Sequence, residues 1–157
     1  MILNKVITNF VKGINMFNHE VLDFKVEKFP LLSQCDLDGS GFDSISTIPS
    51  SIGVGIRRVD TKQPLGIVSD QYEVVQYMDI VSGVEEAIGR SGMDLTDAQF
   101  MTNVYDDGAK IELTAKFPAH EVAVGISQDR ADNVIPEFKF RTSQNRTWAN
   151  NGMMGLW

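Results

Sequence analysis

Polar and apolar positions change period several times along this chain, and each change marks an element. Ile2, Leu3, Val6, Ile7, Phe10, Val11 and Ile14 recur at helical spacing, with Asn4, Lys5, Thr8, Asn9 and Lys12 on the opposite face. This predicts an amphipathic helix over residues 1–16. Its apolar stripe needs cover from the chain's own core, from another subunit or from a membrane surface. The polar face carries only two lysines, so the membrane is the weakest of the three.

Leu22, Phe24 and Val26 then alternate with Asp23, Lys25 and Glu27, the period of a half-buried strand, which Pro30 is expected to end. Residues 33–51 are rich in Ser, Asp and Gly and include Pro49, which predicts a long surface loop. From Ile52 the strand pattern returns, with Ile52, Val54 and Ile56 on one side and Gly53, Gly55 and Arg57 on the other. Residues 60–66 supply a turn, and Ile67 and Val68 begin the return strand. Beyond Tyr72 the period turns helical: Ile80, Val81, Val84, Ala87 and Ile88 form one stripe, and Gly92 is placed to stop the helix. A second hairpin follows, because Phe100, Thr102 and Val104 lead into Asp106, Asp107 and Gly108, after which Ile111, Leu113, Ala115 and Phe117 alternate again. Val122, Val124 and Ile126 predict a further strand, as do Phe138 and Phe140 after the polar stretch 127–133.

The expected fold class is therefore α+β: an antiparallel sheet of hairpins with a helix packed on one face, plus the N-terminal helix. A chain of 157 residues suits that helix followed by a single domain over residues 17–157. Cys35 is the only cysteine, so no internal disulfide is possible and a reducing host cytoplasm is the expected compartment. No apolar run approaches the roughly 20 residues of a membrane span, and the expectation is a chain without a membrane partner.

Candidate chemistry is sparse. Asp36, Asp38, Ser40 and Gly41 begin like a calcium loop, but its twelfth position is Thr47 instead of a bidentate Glu, and Pro49 stands where a helix should start. We expect a solvated turn there and no metal. Glu85 with Glu86, and Asp106 with Asp107, are neighbours that do not face each other. Phosphate-binding glycine loops, zinc-protease and hydrolase signatures are missing, so neither a cofactor nor catalysis is expected.

The net charge of −7 works against a chain-wide attraction for nucleic acid, which leaves local strips. Phosphates need exposed cations and unpaired bases need aromatic platforms. Two places combine them: Arg57, Arg58 and Lys62 followed by Tyr72 and Tyr77, and Lys139, Arg141 and Arg146 near Trp148. All of these except Tyr77 are the candidate nucleic-acid contacts.

Residues 57–76, RRVDTKQPLGIVSDQYEVVQ, resemble the phage/plasmid-like protein family known as domain of unknown function 932. Members show a strand ending in Arg-x-Asp, a turn, a Leu-Gly-x-Val-Ser strand and a Tyr-x-Val-Val-Gln entry into a helix. Arg58, Asp60, Leu65, Gly66, Val68, Ser69, Tyr72, Val74, Val75 and Gln76 follow that order. Residues 136–157, PEFKFRTSQNRTWANNGMMGLW, resemble the family's later strand and polar turn, with Thr142, Ser143, Gln144 and Asn145 replacing the usual Asn-Ser-x-Asp-Gly. The family's Arg-x-x-Cys-x-Asn-Gly element would lie beyond Trp157, which suggests a longer natural chain. The resemblance implies a mobile-element protein and supplies no catalytic residue.

Two functions follow as expectations. One is a non-enzymatic phage or plasmid protein of the interaction or assembly type, pairing with itself or with a phage or host protein through its N-terminal helix and strand edges. The other, by analogy with the Rad52-like cores of single-strand annealing proteins, is an oligomer that binds single-stranded DNA.

Overall fold

The computed structural model describes residues 15–36, 45–125 and 131–156. The predicted N-terminal helix falls almost wholly outside them, and Asn15 and Met16, its last two residues, are not helical. The described residues form nine strands and one long helix, an α+β fold of antiparallel sheets as the periodicity implies.

The first sheet has the order β1 (Val26–Asp36), β2 (Ile45–Arg58), β3 (Pro64–Val68). Leu22 and Phe24 are buried as expected but lie ahead of the strand, which opens only at Val26. Pro30 does not end it. β1 is an edge strand, where a missing N–H is tolerated, and the proline sits at a register shift between Pro30 and Leu32. The loop predicted over residues 33–51 is strand at both ends, since Ser33, Gln34, Cys35 and Asp36 pair with Ile48, Thr47, Ser46 and Ile45. Composition misled here because runs of Ser and Thr occur in strands as well as in loops. Residues 37–44, including most of the calcium-like motif, lie outside the described residues.

β3 reaches only from Arg57 back to Val54 on β2, so the outer part of the β1–β2 hairpin is a two-stranded ribbon beyond the sheet. This explains a failed alternation. Ile56 is buried and Val54 half-buried, yet Ile52, on the same predicted side, is 71% exposed, and Leu32 on β1 is 60% exposed. Gly53 marks the change, with φ +135° and a backbone so close to Val68 that a Cβ would lie 2.2 Å from its carbonyl oxygen.

The predicted turn over residues 60–66 is shorter, because Pro64 already opens β3. The helix starts later than expected: residues 69–76 are irregular and α1 is Tyr77–Arg90. Tyr77, Val81, Val84 and Ile88 form its buried stripe, and Gly92 follows with φ +73°, the left-handed conformation glycine tolerates. No described helix is long and apolar enough to cross a membrane.

The second sheet has the order β4 (Gln99–Tyr105), β5 (Lys110–Lys116), β8 (Pro136–Ser143), β9 (Asn151–Leu156). Between β5 and β8 the chain makes a separate hairpin, β6 (Val122–Gly125) with β7 (Ala131–Val134), so part of the stretch read as a polar connection is strand. β5 is central, and every residue from Ile111 to Ala115 is buried. Its inner side chains, Ile111, Leu113 and Ala115, join the stripe of α1 and Phe24, Val26, Ile56 and Val68 in one apolar cluster. Full burial of each large aliphatic side chain is worth about 1.5–3 kcal/mol.

Two glutamines join the layers. Gln76 is the N-cap of α1 but makes no cap bond. Its amide instead pairs with the edge of β1, accepting from the Val26 N–H at 2.9 Å and donating to the Val26 carbonyl at 2.9 Å. Gln144, buried after β8, donates its backbone N–H to Ala109 at 2.8 Å and its side-chain amide to the Val75 carbonyl at 2.6 Å. Upstream of β1, the Glu85 carboxylate of α1 accepts the N–H groups of Met16 and Phe17 at 2.9 and 3.1 Å and contacts His19 Nε2 at 2.9 Å.

Candidate nucleic-acid interface

Arg57 and Arg58 are consecutive in β2, so they project to opposite faces. Arg57 stands opposite Glu27 in the register and donates to it at 2.8 Å, with its guanidinium 5.0 Å from the Phe29 ring centre. Phe29 lies over Gly55, where a Cβ would lie 2.3 Å from the ring. Lys62, in the turn with φ +59°, reaches the same Glu27 oxygen at 3.3 Å. Hydrogen bonds from Arg57 and then Lys62 hold the Glu27 carboxyl below its usual range.

Arg58 faces the other way. Its guanidinium lies 3.9 Å from the Phe24 ring centre, binds both Asp60 oxygens at 2.9 and 2.6 Å, and donates to the Asp107 carbonyl at 3.3 Å. The Arg58 hydrogen bonds bring the Asp60 carboxyl down to about 2. Tyr72 is half-buried, and its hydroxyl donates to Gln144 Oε1 at 3.3 Å. Burial raises its phenol while the nearby charge of Arg146 pulls the other way.

The second group lies on the outer face of the second sheet. Lys139 and Arg141 alternate with Phe138 and Phe140 along β8, so the aromatics go inward and the cations outward. Arg141 stands opposite Glu112 and donates to it at 2.5 Å. Lys139 and Lys116 both contact Glu137, at 3.2 and 3.5 Å. The carboxylates are the deeper partners: side-chain exposure is 9% for Glu112 and 8% for Glu137, against 42% for Arg141 and 25% for Lys139. Each cation sets its charged head against a carboxylate buried more deeply than itself.

Trp148 is fixed by its backbone, which exchanges hydrogen bonds with Ser143 Oγ at 2.9 and 3.0 Å. Tyr105 meets its ring edge-on at 5.6 Å, and Lys110 and Arg141 stand 5.4 and 5.6 Å from its centre. A base seeking this ring would compete with two cations. Arg146 is exposed with φ +60°, and among the described residues it has no carboxylate partner.

The structure thus brings together Tyr72 from the first group and Arg146 from the second, across a contact where Gly66 approaches Asn145 so closely that a Cβ would lie 2.6 Å from Asn145 Cβ. It does not merge the eight residues into one basic strip. The residue pattern did not reveal the acids: Glu27, Asp60, Glu112 and Glu137 pair with five of the six candidate cations, all but Arg146. Asp60 was in reach of the sequence, two residues after Arg58. Glu27, Glu112 and Glu137 needed the strand register. Among the described residues no group of His, Cys, Asp and Glu is placed to hold a metal. No family model matches the chain, no curated protein matches it, and no solved structure matches it.

Proposed function

We propose that this chain is an assembly protein that associates with further copies through apolar side chains left exposed on its strands. The observation that carries this reading is the exposure of Leu32 and Ile52 on the β1–β2 ribbon and of Val122 and Val124 on the β6–β7 hairpin. Two-stranded ribbons are marginal in water by themselves, and apolar side chains on them gain most from a partner's cover. The phage or plasmid setting rests on the resemblance of residues 57–76. Static light scattering over a range of concentrations tests the proposal: the mass should rise above the 17.5 kDa of one chain. A mass fixed at that value throughout overturns it.

The single-strand DNA reading has one observation of its own, the unneutralised Arg146 beside Tyr72. Fluorescence anisotropy with a single-stranded oligonucleotide separates the two readings. Tight binding that weakens steeply with salt would favour DNA, and no binding at low salt would remove it.

A further inference from the structure

The two larger sheets present four strand edges, and three are defended. On β1 the Gln76 amide occupies both backbone groups of Val26, Pro30 lacks a donor, and the register shifts beside it. β3 has five residues and opens on Pro64. β4 is approached by the segment before β1, with the Asn18 N–H on Thr102 Oγ1 at 3.1 Å and the Phe17 ring 5.4 Å from that of Phe100. Among the described residues β9 has none of these devices. Its six residues pair with β8 without a break in register and include no charge and no proline.

The surroundings of β9 are apolar and locally neutral. Met154, opposite Phe138, is 67% exposed, and Gly152 leaves the rings of Phe138 and Phe140 uncovered by any side chain of its own, a Cβ there lying 3.6 and 3.7 Å from them. On the other face Met153 is exposed beside Lys139. A chain of net charge −7 repels its own copies, so a contact between copies belongs where no unpaired carboxylate lies. The strands next to β9 meet this condition, because Glu137 is held by Lys116 and Lys139, and Glu112 by Arg141.

We propose that β9 pairs antiparallel with β9 of a second copy, joining two four-stranded sheets into one of eight. This rests on the assembly reading and names its contact. A twofold axis through the junction makes the same strand its own complement. It also keeps the inner faces on one side, so a residue must oppose one of equal parity, and overlap is greatest with the axis near Met153 or Met154. Both registers bring the two Met154 side chains onto one face within reach of each other.

Sedimentation equilibrium on Met154→Lys, Met154→Glu and their equimolar mixture tests this, with circular dichroism confirming the fold. At a concentration where wild type is dimeric, each variant alone should be monomeric, from like charge across the axis, and the mixture should recover the dimer. A variant that loses the wild-type spectrum is replaced by the same pair of substitutions at Met153. If wild type associates and the variants associate equally well, the β9 contact is overturned while the assembly reading stands. If both variants are monomeric and the mixture stays so, β9 docks on a different strand and the homotypic pairing is overturned. A wild type that is monomeric throughout overturns both.

Discussion

Arg58 and Asp60 show how a cation that reads as a phosphate contact becomes a structural one. The guanidinium holds both oxygens of Asp60, and that contact is what lowers the carboxyl to about 2, against about 3.9 for an unperturbed Asp. A depressed folded value means that the pair contributes above the unfolded value and that its contribution is lost as pH falls toward 2. A carboxyl-detected NMR titration should therefore place the Asp60 midpoint near 2 in wild type and move it toward the ordinary value in Arg58→Gln; an unchanged midpoint in the variant contradicts the assignment. Burial separates the other pairs. Arg141→Ala leaves Glu112, whose side chain is 9% exposed, buried without its cation, which should cost about 1–3 kcal/mol in urea unfolding. Arg57→Ala leaves the more exposed Glu27 hydrated and still beside Lys62, and should cost less than the loss of Arg141. Equal costs would show that the depth of the carboxylate does not matter.

At the scale of elements, the sequence revealed what period reveals. The stripe Val81, Val84, Ile88, the glycine stop at Gly92 and the Asp-Gly hairpin were legible because each is a local pattern with a local cause. The ribbon was not, because its residues show no regular alternation of apolar and polar positions. Pro30 misled because its tolerance depends on β1 being an edge, a fact of topology. Of the candidate interface, the cations and aromatics were legible as residue types, but their neutralisation depends on a register fixed by the whole sheet. Two glycines give a matched prediction. Gly53→Ala forces a Cβ onto the Val68 carbonyl at φ +135° and should destabilise by about 1–3 kcal/mol or more. Gly83→Ala, in α1 with open space around it, should stabilise by up to about 1 kcal/mol. Gln76→Ala strips two hydrogen bonds from the buried Val26 and should cost about 1–3 kcal/mol. Thermal melts of the three variants check all of this, and a neutral Gly53→Ala would disprove the close approach of β2 to β3.

For the whole molecule, the decisive contrast lies between where charge goes and where apolar surface goes. The cations of the candidate interface are mostly turned to the chain's own acids, while Leu32, Ile52, Val122, Val124 and Met154 face outward. A nucleic-acid binder needs the first group free, and an assembling chain needs the second covered. Hydrogen–deuterium exchange at two protein concentrations tests this contrast most directly. Amides of β9 and of the ribbon should exchange more slowly at the higher concentration while those of α1 and β5 are unchanged. Exchange that is independent of concentration in every strand would contradict it.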